Sequence, residues 1–446
     1  MENKDVAFSP SGVIESKGAK GKKATQNRKY DLVTWLVRLI VGGVFTFSGF
    51  VKAIDPWGTI YKMHDYLAVF SFEVWPNLVL VGAFALCAVE FLCGAFILMG
   101  CFRRSVAIMS ACIMAFMLPL TLWIAVANPV ADCGCFGDAF AISNWETFWK
   151  NVVLTVGVIW LLLYNKRCHW LITPALQWLA FVASGLFIVI VELFGYVSQP
   201  LLDFRPYKAG MALVEENAAH ADEPSYIYIY EKDGVKREFT INEDLPDEDS
   251  GWKFIDRKEI AGDSKVDSGK ERNLRIWSKD GEDDVTEEAV SEHGKELIIM
   301  MPDLNEVSPA TTWKLNSLYE WSVKNDVEMI AVVSGSPEEI DVWEDLSMAS
   351  YPIFTADDTQ IKSVVRGNPG VVYLIDGKVD WKSTLTAINI DDFLSPETSH
   401  DAANFGMDNA RILRNISYIY LTVMAVLIIL SFTPYMKSMF SGRNNA

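Results

Sequence analysis

The chain has 446 residues, 51% of them hydrophobic, with a formal net charge of −18 and a mean hydropathy of +0.18. A composition this apolar excludes a single ordinary soluble domain, and a balance this acidic argues against a nucleic-acid partner and against adhesion to anionic lipid. The two facts reconcile when the chain is divided: residues 32–195 are mostly long apolar runs, whereas most of the 57 acidic residues fall between 201 and 411.

In chain order, a basic tail (1–30) carries Lys17, Lys20, Lys22, Lys23, Arg28 and Lys29 ahead of the first apolar run. It is polar, and no small-residue cleavage site follows, so a secretory signal is not expected. Runs at 32–53, 78–100, 106–127, 147–164, 171–195 and 413–432 meet the requirement of roughly 20 mainly apolar residues for a transmembrane helix. The fourth is the shortest, and Trp145 and Trp149 at its head suit an interfacial aromatic belt. Arg103–Arg104, Lys166–Arg167, Lys437 and Arg443 follow the second, fourth and sixth runs, on the same side as the basic tail. That side is therefore expected to be cytoplasmic, with both termini there, and residues 54–76, 128–145 and 200–410 on the opposite side. Arg411 and Arg414 run against the pattern but are outnumbered.

Polar groups inside apolar runs stand out because an ionised group in hydrocarbon is costly and turns toward protein. Glu90 lies mid-way along the second run, Arg38 inside the first, and Lys52 near the far end of the first. The expectation is that Arg38 and Lys52 snorkel to opposite interfaces and that Arg38 pairs with Glu90 across helices. Pro119 is expected to kink the third run.

Five of the seven cysteines (Cys87, Cys93, Cys101, Cys112 and Cys168) read as packed or cytoplasmic thiols. Cys133 and Cys135 differ, because they lie in Asp132-Cys-Gly134-Cys-Phe-Gly137-Asp138 between the third and fourth runs, on the oxidising side. Thiols two residues apart can only close a very small ring, and strained exposed disulfides are the exchange-prone ones. Gly134 and Gly137 supply the backbone freedom such a turn needs. A redox-active pair, an inert structural disulfide and a metal site all remain open on these residues, the metal weakest because no His is adjacent.

The segment Arg38-Leu-Ile-Val-Gly-Gly-Val-Phe-Thr-Phe-Ser-Gly-Phe-Val-Lys52, running into Asp55-Pro56, resembles the first span of the DoxX family. The Asp-Cys-Gly-Cys-Phe-Gly turn followed by Asn144-Trp-Glu-Thr-Phe-Trp-Lys-Asn151 resembles the related MauE branch. The likeness covers residues 30–165 and implies a four-helix bundle, here 31–166, associated with disulfide formation in exported proteins. It implies a bacterial inner membrane with the far side periplasmic, and a quinone as electron carrier. Trp57, Trp145 and Trp149 are the candidate quinone contacts, against a simpler role as interface anchors. The fifth run (167–199) and the sixth (411–446) are additional helices.

Within the far-side region, 226–230 and 235–241 alternate as a hairpin around Glu231-Lys-Asp-Gly234 in a β-rich segment (200–271), with acidic loops at 244–251 and 261–269. Residues 201–208 read as a polar exit from the fifth run. From 272 to 410, strands at 296–301, 328–333, 353–355, 371–375 and 378–382 alternate with helices at 311–325, 338–348 and 359–366. This order, with Arg366-Gly-Asn368-Pro369-Gly ahead of the last hairpin, resembles a thioredoxin-like domain and implies a cis Asn368–Pro369 bond. The place that carries Cys-x-x-Cys in thioredoxins reads Met301-Pro-Asp-Leu-Asn-Glu-Val-Ser-Pro-Ala-Thr311, without cysteine, and the whole region 201–410 has none. The fold class expected is thus a membrane α-helical, DoxX-like bundle with an inserted α/β thioredoxin-like domain. The function expected is a thiol–disulfide exchange between Cys133/Cys135 and a periplasmic protein client or redox partner. The alternative is a non-enzymatic assembly or chaperone-like subunit.

Overall fold

The computed structural model describes residues 17–70, 74–128, 133–140, 142–167, 169–214, 226–232, 235–240, 253–259, 274–394 and 402–441. Asp132, Cys168 and the loops at 244–251 and 261–269 lie outside them. The helical part comprises α1 (Lys17–Ile54), α2 (Pro56–Val69), α3 (Pro76–Met99), α4 (Arg103–Ala127), α5 (Asn144–Leu163), α6 (Gln177–Val197) and, at the far end of the chain, α12 (Asn409–Ser441). Six of these seven, all but α2, are long and apolar enough to cross a membrane. Large apolar side chains on their outer faces, among them Leu78, Val81, Phe116, Val153 and Val156, are exposed, the arrangement a hydrocarbon solvent favours.

The antiparallel α1 and α3 form the centre. A Cβ on Gly49 would meet the Phe91 backbone nitrogen at 2.3 Å, and one on Gly94 would meet the Thr46 nitrogen at 2.1 Å. Small residues here let the two backbones touch, the packing available when apolar burial gives helices no reason to associate in lipid. α12 packs along α6, with Tyr420 stacked on Phe187 at 4.3 Å and its hydroxyl 3.0 Å from that of Ser184.

The far-side segment 54–76 holds a helix, α2, that the sequence reading did not assign. Asp55 caps it by accepting from the Gly58 amide at 3.1 Å, and Pro56 occupies the first turn.

Strands β1 (Tyr226–Lys232) and β2 (Val235–Thr240) pair antiparallel, and β3 (Lys253–Glu259) adds to β1 on its other edge. After a short α7 (Thr286–Ala289) comes an alternation of β4 (Lys295–Met301), α8 (Thr312–Lys324), β5 (Glu328–Val333), α9 (Pro337–Ser347), β6 (Ile353–Thr355), α10 (Asp358–Val364), β7 (Gly370–Ile375), β8 (Lys378–Thr384) and α11 (Ile390–Leu394). Its five strands lie in the order β6-β5-β4-β7-β8, parallel among β4, β5 and β6 and antiparallel at β7 and β8. Both faces of β4 are covered. Leu297, Ile299 and Met301 pack with Leu315, Leu318 and Trp321 of α8, while Ile298 and Met300 pack with Ile361 and Val364 of α10. That double burial is why β4 reads as an unbroken apolar run. The Asn368–Pro369 peptide is cis.

The stretch after α6 is not the polar exit expected. Leu201, Arg205 and Tyr207 are buried, and the chain from 210 to 213 hydrogen-bonds along β8 and the turn before it. Asp203 holds both Arg205, at 2.8 Å, and Lys382 of β8. The strand domain is therefore stitched to the end of α6.

Candidate functional site

The cysteine turn sits between α4 and α5, fixed from several helices. Ser48 of α1 donates to the Cys135 carbonyl at 2.6 Å, and Tyr66 of α2 donates to the Cys133 carbonyl at 3.0 Å. Gly134 and Gly137 have φ of +65° and +51°, in the left-handed region that suits glycine. The two Sγ atoms are 2.8 Å apart and both residues are buried, at 8% and 6% exposure.

Their environment separates the two thiols. The hydrogen bond from the Cys133 thiol to the Cys135 sulfur favours the Cys135 thiolate, and the ammonium groups of Lys150 and Lys52 add to it, so Cys135 ionises below the ordinary thiol range. The same hydrogen bond, with burial, pushes Cys133 up. Lys150 lies over the Phe136 ring at 4.1 Å, close to the turn.

Both cysteines line a cavity of about 500 Å³. Its walls are largely apolar: Met63 and Leu67 of α2, Phe70 at its C-cap, and Phe116, Met117 and Leu120 of α4. Lys52, Thr59, Lys62 and Tyr66 supply polar edges. A volume of this size suits one drug-sized apolar ligand. Trp57, Trp145 and Trp149 are not among the lining residues. Trp57 stacks on Tyr196 at 4.9 Å and donates to its carbonyl at 3.0 Å, and the other two project from α5 into the exposed outer face. An apolar carrier at this cavity would meet α2 and α4 instead.

The expected Arg38–Glu90 pair does not form. Lys52, 4% exposed, binds Glu90 at 2.6 Å, and Arg38, 1% exposed, donates to the carbonyls of Ile97 at 2.6 Å, Leu98 at 2.6 Å and His169 at 2.8 Å. The register of α1 against α3 decides this. With Gly49 beside Phe91, Lys52 falls level with Glu90, and Arg38 falls some 20 Å away at the carbonyl end of α3. There a guanidinium satisfies orphan carbonyls and the helix dipole. Neither cation snorkels.

Arg366 is a residue beside the cysteine turn that the sequence did not single out as part of the site. It lies in the turn between α10 and β7, yet its guanidinium reaches Asp55 at 2.8 Å and Asp138 at 2.7 Å, three residues past Cys135. Its main chain is clamped by Gln199, whose side chain accepts from the Arg366 amide at 3.0 Å and donates to its carbonyl at 2.7 Å. Asn368 donates to the Asp303 carbonyl, so the turn also faces the chain just after β4. Glu192 of α6 was missed as well; it is 1% exposed inside the bundle. Its signal was available, a lone carboxylate in an apolar run. For Arg366 no local signal exists.

Residues 30–164, which span α1 through α5 and include the cysteine turn, match the family model described as methylamine utilisation protein MauE. That is a membrane family, in keeping with the apolar helices it covers here. Residues 224–261 match a domain of unknown function, DUF8463. No curated protein and no solved structure matches the chain.

Proposed function

We propose that the protein is a membrane thiol–disulfide oxidoreductase that oxidises an exported protein partner through Cys133 and Cys135. The observation that carries this reading is the pair of adjacent thiols in the wall of an apolar cavity, one of them favoured as thiolate. In the oxidised pair, a partner thiolate attacks Sγ of Cys133 and Cys135 departs, since the lower-pKa sulfur is the better leaving group. A second partner thiolate then releases Cys133. The apolar cavity fits a lipid-soluble carrier of the quinone class, which supplies two-electron oxidation when bound. Lys52, Thr59 and Tyr66 are the polar groups available to its oxygens.

The sheet order, with a parallel β4-α8-β5 unit and a closing β7–β8 hairpin, supports a thioredoxin-like reading of residues 272–410. The domain presents its Arg366–Pro369 turn to the cysteine turn and has no cysteine of its own, so its part is to cover the pair and select what reaches it. The basic residues at the ends of the second, fourth and sixth spans support a periplasmic position for it. Similarity to a family named for methylamine utilisation supports a client within that process.

Differential alkylation of isolated membranes across a series of redox buffers, read by peptide mass spectrometry, tests the reading. Cys133 and Cys135 should interconvert at a mild potential, and Cys135→Ala should trap the partner on Cys133. A bond that opens only on denaturation, or thiols that never pair, would overturn it. The second reading, an assembly subunit that does no chemistry, would then stand on the buried Arg366 contact and the cysteine-free outer domain.

A further inference from the structure

The cavity beside the cysteine pair changes character along its length. Its polar lining residues, Lys52, Thr59, Lys62 and Tyr66, come from the far-side end of α1 and from α2, next to the sulfurs. Beyond Met63, Leu67 and Phe70, the apolar lining continues into the spans, with Leu86 of α3 and Ile113, Phe116, Met117 and Leu120 of α4. The four α4 residues recur at the i, i+3, i+4, i+7 spacing of one helix face. Met117 and Leu120 pack with Cys133 and Cys135, so this stripe is continuous with the redox pair. At a rise of about 1.5 Å per residue, Leu86 lies roughly 15 Å in from Pro76 at the start of α3, and Ile113 roughly 21 Å in from Ala127 at the end of α4. Those depths approach the middle of a hydrocarbon core about 30 Å thick.

Two of the lining side chains are exposed, and they mark two rims. Phe70, at the C-cap of α2, stacks on Trp123 of α4 at 4.9 Å and bridges the upper rim. Phe116, 68% exposed, stands at the lower rim, part-way along a span, where the surroundings are bilayer. A volume of about 500 Å³ holds a drug-sized group but not also a chain long enough to anchor a carrier in lipid. Such a chain has to leave the cavity, and the lower rim is where it is soluble.

We propose that the acceptor is a long-chain carrier of the quinone class that enters sideways from the bilayer between α3 and α4, with its ring at the polar end beside the cysteines and its chain leaving past Leu86, Ile113 and Phe116. The inference rests on the oxidoreductase reading above and adds the entry route and a preference for a chain. The reverse placement would set the ring oxygens among Leu86, Ile113 and Phe116, which offer no side-chain donor, and the chain beside two amines, both costly. A water-soluble oxidant would need neither the apolar stripe nor a mouth at that depth.

The test uses the full-length protein in nanodiscs and a benzoquinone whose decyl chain carries a diazirine at its tip, with a tail-less benzoquinone for comparison. After photolysis, peptide mass spectrometry should place the label on α3 around Leu86 or on α4 between Ile113 and Phe116. Labelling should saturate and be displaced by an undecorated long-chain quinone. Leu86→Trp and Ile113→Trp, which fill the lower slot, should each raise the half-saturating concentration of the decyl quinone about tenfold or more, the equivalent of about two buried methylene groups, and that of the tail-less one far less. The label position in the unaltered protein needs no variant, and it decides the proposal even where a tryptophan variant folds poorly. A tip label on α2 near Phe70 would overturn the proposal, as would tryptophan variants that weaken both quinones alike. Labelling that never saturates, while the pair still cycles, would mean that the slot holds a lipid acyl chain, and would overturn it too. Absence of cycling in the unaltered protein would instead sink the oxidoreductase reading itself.

Discussion

Arg366 and Asp138 are 228 residues apart in the chain and 2.7 Å apart in the fold. The same guanidinium binds Asp55, which caps α2, so one side chain holds the cysteine turn and the cavity wall to the strand domain. The Arg366 side chain is 6% exposed, Asp55 is nearly as well covered, and Tyr61 of α2 lies 5.5 Å away, whereas the Asp138 carboxylate is 43% exposed on its outer side. Charge in such a place stabilises only when fully matched, and here two carboxylates match it.

Replacing Arg366 tests the coupling. Arg366→Ala leaves Asp55 and Asp138 without their cation and should cost about 2–3 kcal/mol of docking or folding stability, less than a fully buried network because Asp138 is 43% exposed and screened by water. Protease cleavage between α6 and β4 should accelerate, and Cys135 should alkylate faster in membranes. Lysine should rescue poorly, since it lacks the planar fork that spans two carboxylates. Unchanged protection of both the linker and Cys135 would show that the contact holds nothing.

Glu296 makes the strand domain pH-sensitive. It opens β4 at 1% exposure opposite Glu328, and burial pushes its carboxyl up to about 8. The folded protein therefore keeps a proton that the unfolded chain, with a carboxyl near 4.3, has released. Stability from this group is complete below about 4.3 and is lost as pH rises toward 8, because above the ordinary value folding binds a proton. Glu296→Gln can still accept from the Ser291 amide, now at 3.2 Å. It should raise the melting temperature at pH 8 by several degrees and flatten the slope between pH 5 and 8, about as expected for relieving a buried charge. Parallel melting curves for the two proteins across that window would refute this.

Arg38 should matter for the bundle rather than for chemistry. Arg38→Met removes donors to three carbonyls at the end of α3 and should destabilise by about 2–4 kcal/mol, with Lys only partly restoring them. Detergent-resistant folding, followed by tryptophan fluorescence, should fall, while the potential of the cysteine pair in the surviving fraction stays put. A shifted potential with unaltered stability would place Arg38 in the redox site instead.

The sequence by itself determined the six spans, the cysteine turn and the strand and helix order from Glu296 to Thr384. Those features rest on periodicity, capping residues and turn chemistry, all set within a few residues along the chain. The β4 run from Lys295 and the α9 helix from Pro337, with its Ser336 cap, are legible for that reason. Helix α2 was not read from the sequence, although Asp55-Pro56 offers a cap and first-turn signal for it. Only the tertiary structure decided which cation meets Glu90, because that choice follows the glycine-to-backbone register of α1 on α3 rather than any property of Arg38 or Lys52. It also decided that the cavity opens on α2 and α4 instead of on Trp57, Trp145 and Trp149, and that Arg366 closes over the cysteine turn. Contacts between residues hundreds of positions apart depend on how finished elements pack, and composition carries no record of that geometry.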